Sequence, residues 1–163
     1  MKRTAFRVIH MIFRVLFTFF VLWAILFIFQ NSLESGALSS SRSAEFTAML
    51  NAVLGRLGIS ALSEAMVRKL AHYAEFALLG FLLMLCVRVY TPRYVRYSCW
   101  PLLIGMCVAN LDETIQIYVD GRNSSVIDVW IDFSGVCGGL LAGFLVCILL
   151  SLILSTFGLR RKR

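Results

Sequence analysis

The stretch Asn110–Gly135, NLDETIQIYVDGRNSSVIDVWIDFSG, places charged side chains in segments that are otherwise apolar enough to cross a membrane. The carboxylates within those segments belong to Asp112, Glu113, Asp128 and Asp132. A carboxylate at the centre of a bilayer costs about 2.5–3.5 kcal/mol even on insertion scales, so such groups normally face a protein interior and mark a functional site. We therefore expect this stretch to form an antiparallel helical hairpin with its polar side chains turned inward.

The whole chain has the composition of a membrane protein. Of its 163 residues 60% are hydrophobic, and several apolar runs are long enough to form transmembrane helices within a single domain, 1–163. The net charge of +7 comes from basic residues that stand singly or at the ends of apolar runs, so we exclude nucleic acid as a partner. The predicted fold class is all-α and polytopic, with four transmembrane helices at about 9–29, 67–89, 99–119 and 126–154.

The distribution of charge predicts the orientation in the membrane. The basic residues of the two termini and of the link between the second and third spans are Lys2, Arg3, Arg7, Arg14, Arg88, Arg93, Arg96, Arg160, Arg161, Lys162 and Arg163. All nine Asp and Glu residues lie outside these three groups. By the positive-inside rule we expect a multi-pass protein with both termini in the cytoplasm.

The long outer loop, residues 30–66, contains a helical pattern of its own. Apolar residues recur at helical spacing from Phe46 to Leu57, with Ser43 as the expected N-cap,. This pattern predicts an extracytoplasmic amphipathic helix that lies on the outer surface or covers the bundle. A helix that only packs against the spans fits the pattern equally well. Ser60 or Ser63 is expected to cap the helix that becomes the second span.

Small and polar residues form one stripe on each helix of the hairpin. The stripe on the third span consists of Gly105, Ala109, Asp112 and Gln116, with Glu113 at its edge. The stripe on the fourth span consists of Ser125, Asp128, Asp132, Gly135, Gly139 and Ala142. We expect the two stripes to face each other, because small residues permit close approach of helix backbones.

The connection between the third and fourth spans is expected to be short. Asp120–Gly121 is typical of a tight turn, and Ser125-x-x-Asp128 has the pattern of a capping box,. At a rise of 1.5 Å per residue, Asp112 and Asp132 would each lie roughly 10 Å below the outer mouth of the bundle. His72, near the outer end of the second span, reaches a comparable depth.

These placements predict one polar pocket that opens to the outside. Its expected residues are His72, Glu75, Asp112, Glu113, Gln116, Arg122, Ser125, Asp128 and Asp132. The alternative is a buried salt-bridge network that only fixes helix packing. We favour a pocket because buried ionic networks add little stability over apolar packing, and because the acids outnumber what His72 and Arg122 can neutralise. Some of the acids must then be protonated, hydrated or bound to a cation.

Two ligand chemistries stay open for this pocket. Arg122, at the start of the fourth span, would either hold a phosphate or carboxylate or pair with Asp120 or Asp128. His72, Glu75 and the aspartates offer nitrogen and oxygen ligands to a divalent cation. The sequence contains no motif with strong metal-ligand spacing, so the cofactor stays undetermined.

The order and spacing of these residues resemble the VanZ-like family over about residues 30–140. The matching motifs are Arg68-Lys69-x-x-His72-x-x-Glu75-Phe76, Asp112-Glu113-x-x-Gln116, and Gly121-Arg122-x-x-Ser125-x-x-Asp128-x-x-x-Asp132-x-x-Gly135. The resemblance implies a small protein of the bacterial cytoplasmic membrane with a role in the cell envelope. The member that gives the family its name is associated with resistance to teicoplanin, a lipid-tailed glycopeptide that acts on cell-wall precursors.

Three classes of function fit these observations. The first is a binding protein whose partners are membrane lipids and a lipid-linked cell-wall precursor or lipoglycopeptide. The second is an intramembrane enzyme that uses the carboxylates, His72 or a metal, but no nucleophile motif supports it. The third is a transporter, which would need an oligomer because four spans without repeats are few for alternating access. We favour the binding protein over the enzyme.

Overall fold

The computed structural model describes residues 2–156, which form an all-helical fold without strands. Its five helices, in chain order, are α1 (Lys2–Ser32), α2 (Gly36–Arg56), α3 (Glu64–Tyr90), α4 (Cys99–Ile117) and α5 (Val126–Thr156). The predicted all-α class is confirmed for this part of the chain. The arginines and lysine predicted to flank the last span, residues 160–163, lie outside the described residues.

Three helices in residues 2–156 are long and apolar enough to cross a membrane: Arg7–Ser32, Glu64–Tyr90 and Val126–Ile153. The third predicted span, 99–119, corresponds to α4, which has 19 residues and does not meet the same criterion. The polar residues in its second half, Asp112 and Gln116 among them, lower its average hydropathy. The four-span topology therefore stays a prediction.

The closest helix contact joins α3 to α5. A Cβ atom added to Gly139 would overlap the carbonyl oxygen of Ala77, and one added to Gly135 would lie 2.5 Å from the carbonyl oxygen of Tyr73. Gly80 of α3 makes the reciprocal contact with the carbonyl of Val136. Glycine at these positions lets the two backbones touch, as small residues do between membrane helices.

This contact corrects the predicted partner of the stripe on the fourth span. Its small residues pack against α3 and not against α4, although its polar upper part does approach α4. Ala142 was expected to continue the stripe but is exposed, whereas Gly143 is buried against Met84 of α3. The stripe on α4 is confirmed, because Gly105, Ala109, Asp112, Glu113 and Gln116 are all buried.

Helix α2 begins earlier than the sequence pattern predicted. The Oγ atom of Ser35 accepts a hydrogen bond from the amide of Leu38 at 3.4 Å, so Ser35 is the N-cap and the expectation for Ser43 is wrong. The start of α2 is fixed by Gly36, whose amide donates to the carbonyl of Asp120 at 2.9 Å. Phe46 and most of the apolar stripe are exposed, and the amphipathic surface role of α2 stays a prediction.

The predicted N-caps of α3 and α5 and the predicted turn between α4 and α5 are confirmed. Ser63 caps α3 by accepting a hydrogen bond from the amide of Met66 at 3.3 Å. Gly121 has a φ of 74°, a conformation that favours glycine, and so allows the tight turn between α4 and α5,. Ser125 caps α5 through a 3.2 Å hydrogen bond from the amide of Ile127,.

The apolar core lies directly beneath the polar residues of the bundle. It is formed by α1, α3, α4 and α5, and its most buried members are Ala24, Ile28, Phe76, Leu79, Leu83, Met84, Val108, Ala109 and Val136. At the opposite end, Arg14 lies over the ring of Tyr90 at 5.4 Å, and Arg88 lies over that of Tyr94 at 5.3 Å. These basic residues therefore gather at the end of the bundle away from the polar site.

The glycine contact predicts that Gly139→Ala destabilises the protein. The added methyl group cannot fit beside the Ala77 carbonyl unless the helices separate, and overpacking of this kind typically costs about 1–3 kcal/mol. Thermal unfolding of the detergent-solubilised protein should show a clear fall in Tm. The matched control is Gly55→Ala in α2, where a Cβ meets nothing within 4 Å, so its Tm should stay the same or rise. Equal behaviour of the two variants would contradict the close α3–α5 contact.

Candidate functional site

A polar cavity of about 90 Å³ lies where α1 and α4 end and α3 and α5 begin. Its volume is well above the roughly 10–15 Å³ that one water molecule needs. The cavity is lined by Arg68, Lys69, His72, Glu113, Gln116, Gly121, Arg122, Asn123, Asp128, Ile131 and Asp132. Six of the nine residues predicted for the pocket line it, while Glu75, Asp112 and Ser125 lie beside it.

Asp112 is fully buried and joins α4 to the end of α1. One of its carboxylate oxygens accepts a hydrogen bond from the hydroxyl of Ser32. The other accepts a 2.9 Å bond from the amide of Gln116, one turn along the same helix. Both oxygens are therefore held in a fixed orientation, and Oδ2 faces His72 with 4.0 Å to its Nδ1 atom.

Asp132 is equally buried but has a different environment. Neither of its carboxylate oxygens has a hydrogen-bond partner among the described residues. Nδ1 of His72 lies 3.6 Å from Oδ1, which is too long for a hydrogen bond. The polar parts of α3, α4 and α5 thus meet in one group, His72, Asp112 and Asp132, with one carboxylate satisfied and one unsatisfied.

Glu113 contributes to the turn and not only to the cavity. Its Oε2 atom accepts a 2.9 Å hydrogen bond from the amide of Ser125 at the start of α5. In a capping box that amide would bond to the side chain of Asp128. Glu113 of the preceding helix takes this place, so the predicted reciprocal capping box is wrong. Asp128 instead lies 3.7 Å from Nζ of Lys69.

Arg122 binds the end of α1. Its Nε atom donates to the carbonyl of Glu34 at 3.1 Å, and its Nη2 atom donates to the carbonyl of Asn31 at 2.7 Å. Helix ends leave such carbonyls without partners inside the helix. Burial lowers the pKa of the guanidinium, which nevertheless stays charged at neutral pH. The predicted pairing with Asp120 or Asp128 is absent from the ion pairs of the described residues.

Glu75 lies outside the cavity. Its Oε1 atom accepts a 3.1 Å hydrogen bond from the side-chain amide of Asn31, so Glu75 links α3 to the end of α1. The hydrogen bonds of the described residues include none between His72 and Glu75. Asn31 and Ser32 were missed as site residues. The signal was their polarity directly after an apolar span.

The positive charge at the cavity was also underestimated from the sequence. Arg68 and Lys69, from the first turns of α3, line the cavity together with Arg122. The acids therefore have more positive charge beside them than that of His72 and Arg122. Asp132 is buried although it lines the cavity, and Asp112 is buried beside it.

The fold and this site define a class of protein: a helical membrane protein whose apolar helices enclose a small polar cavity near one end. The VanZ/LLP1 family model matches residues 13–154, which is most of the chain. The chain belongs to the VanZ/LLP1 family, and it is a membrane protein of the VanZ kind. Neither the curated proteins nor the solved structures give a significant match.

The contacts of Arg122 predict that Arg122→Ala lowers stability. Removal of the guanidinium leaves the carbonyls of Asn31 and Glu34 without their charged donor, and such bonds are worth about 1.5–3 kcal/mol. The control is Arg42→Ala, which removes only an exposed ion pair to the Glu34 side chain, a contact worth about 0–1 kcal/mol. Thermal unfolding of both variants checks this. An Arg122→Ala protein as stable as the wild type would show that these bonds do not hold α1.

Proposed function

We propose that this protein binds the polar head group of a lipid-linked component of the cell envelope, in a cavity that opens on the outer side of the bacterial cytoplasmic membrane. The role we propose is of the kind linked to glycopeptide resistance in the family's name-giving member. The observation that carries the proposal is the cavity itself. Three basic side chains and three acids line one small polar volume next to apolar helices.

The charge of the cavity supports an anionic ligand. Arg68 and Lys69 supply charge-assisted donors, which bind phosphate and carboxylate groups more strongly than neutral donors do. The charge of Arg122 adds to the attraction, although its Nε and Nη2 atoms bond to the end of α1. Lys69 is half exposed, and its contact with Asp128 is long at 3.7 Å. Such an ion pair is worth about 0–1 kcal/mol, so a ligand can replace Asp128 as the partner of Lys69 with little loss.

The position of the cavity supports a ligand held by a lipid. The helices that surround it include three that are long and apolar enough to cross a membrane, and the cavity lies at the ends of α1 and α4. An amphiphile in the same bilayer could therefore present its head group without leaving the membrane. The arginines near Tyr90 and Tyr94 lie at the other end, and the positive-inside rule assigns that end to the cytoplasm.

The proposal predicts binding of a short polyprenyl diphosphate, for which farnesyl diphosphate is the probe. The double variant Arg68→Ala/Lys69→Ala should bind it at least about tenfold more weakly, because two charge-assisted contacts are lost. Binding to the purified protein in lipid nanodiscs is measured by isothermal titration calorimetry. Farnesol, which has the same tail without the diphosphate, should not bind measurably.

The control is Arg56→Ala, which removes one positive charge at the exposed end of α2 on the same side of the bundle. Its affinity should stay within about twofold of the wild type, because Arg56 does not line the cavity. Equal affinity for farnesyl diphosphate and farnesol, or unchanged affinity of the double variant, would reject the proposed head-group site.

A second candidate function is an intramembrane enzyme that acts on a lipid-linked envelope substrate. The observation that favours it is the approach of His72 to two buried carboxylates, because a histidine next to carboxylates is the usual arrangement of a general acid or base. Purified protein should then convert a lipid-linked substrate, and His72→Ala or Asp112→Asn should remove that turnover. Binding without turnover in the wild type would leave the binding protein as the better description.

A further inference from the structure

We propose that His72, Asp112 and Asp132 form a binding site for one divalent transition-metal ion, Zn²⁺ or Mn²⁺, at the base of the cavity. Each residue offers one ligand atom, and these three atoms lie within 4.8 Å of one another. The three residues come from α3, α4 and α5, so the fold and not a local motif creates the site.

The distances fit a metal centre that needs only a small adjustment. Nδ1 of His72 lies 3.6 Å from Asp132 and 4.0 Å from Asp112. Two ligands that bind one ion at about 2.1 Å with tetrahedral geometry are about 3.4 Å apart. All three ligand atoms lie within 4.8 Å of one another, so side-chain movements of about 1 Å or less bring them into coordination distance.

The unsatisfied carboxylate of Asp132 is the second, independent observation. The side chain is 1% exposed, and neither oxygen has a hydrogen-bond partner among the described residues. A buried charge is normally paired or bound to a metal, because an unpaired one is strongly unfavourable. A cation between Asp132 and Asp112 would satisfy the first carboxylate and neutralise both.

The surroundings of Asp112 match those of a metal ligand. Ligating carboxylates are usually held by hydrogen bonds from neighbouring residues, which fix their orientation. Asp112 receives such bonds from Ser32 and from Gln116. These bonds hold Oδ2 on the side that faces His72, so the site is partly arranged in advance.

The donor set determines the kind of ion. One imidazole nitrogen with two carboxylate oxygens suits zinc or manganese better than calcium or magnesium, which favour all-oxygen sites with more ligands. Three protein ligands leave at least one coordination position open, as in metal sites that bind a substrate or water. Because His72 and Asp132 also line the cavity, we expect that position to be open to the cavity.

The test is metal binding by the purified full-length protein, measured without lipid ligand. The protein is stripped with EDTA and titrated separately with Zn²⁺, Mn²⁺, Mg²⁺ and Ca²⁺ by isothermal titration calorimetry. We expect one Zn²⁺ or Mn²⁺ per chain, at least tenfold weaker binding of Mg²⁺ and Ca²⁺, and a rise in Tm on addition of the favoured ion. The absence of a stoichiometric site for both Zn²⁺ and Mn²⁺ would overturn the inference.

Asp132→Asn keeps the shape of the side chain and should weaken binding at least a hundredfold. Glu75→Gln is the matched control, because Glu75 lies one turn from His72 but bonds to Asn31 outside the group. Its affinity for the metal should be unchanged. Equal binding by the wild type and Asp132→Asn would overturn the inference. If Asp132→Asn does not fold, two other measurements identify the ligands. They are metal binding by His72→Gln and the ligand-field absorption spectrum of Co²⁺ bound to the wild type. A Co²⁺ spectrum without nitrogen ligation would overturn the inference.

This inference is independent of the proposed head-group site. Titration of farnesyl diphosphate with and without EDTA separates the two. Diphosphate binding without any metal site would reject the metal and retain the head-group proposal. A metal site without diphosphate binding would reject the head-group proposal and retain the metal site.

Discussion

The buried carboxylate of Asp112 is the contact on which the arrangement of this end of the molecule depends. Inside an apolar bundle an acid must find donors, because an unpaired buried polar group is strongly destabilising. Asp112 finds them in Ser32 of α1 and Gln116 of α4. The same contact that satisfies the acid thereby ties the end of the first helix to the middle of the fourth.

Two further polar contacts complete this joint. Arg122 binds the carbonyls of Asn31, in the last turn of α1, and of Glu34, just beyond it. The amide of Gly36 bonds to the turn at Asp120. A residue of the polar site can therefore also hold helices together. The polar residues as a whole are neither only a binding pocket nor only a structural network. Arg122, Glu113 and Glu75 are engaged in holding helix ends, whereas Asp132 and Lys69 keep binding capacity.

The sequence was informative wherever structure depends on local pattern. The Gly121 turn, the Ser63 cap and the inward stripe of α4 all follow from spacing along one segment. The sequence did not predict features that depend on which helices pack against each other. Periodicity shows that Gly135 and Gly139 share a small face, but it does not say that the face meets α3.

The remaining errors have the same origin. Ser35 and Ser43 are both suitable N-caps in sequence, and only the bond between Gly36 and the distant Asp120 fixes the start of α2. Likewise Asn31 and Ser32 look like ordinary polar residues after a span until Glu75 and Asp112 are placed beside them. Long-range contacts of this kind leave only weak signals in a single sequence.

The arrangement of charge in the cavity limits the ligands that can satisfy it. Arg68 and Lys69 are donors only, so they favour an anionic or acceptor group. An ionised Asp132 is an acceptor only, so it requires a hydroxyl group, an ammonium group or a metal ion. A diphosphate group alone meets the first requirement and leaves the second unmet. A ligand that combines a phosphate with hydroxyl groups meets both requirements, and so does a phosphate that reaches Asp132 through a bound cation. We therefore expect a head group that joins phosphate to sugar to bind more tightly than a diphosphate group alone.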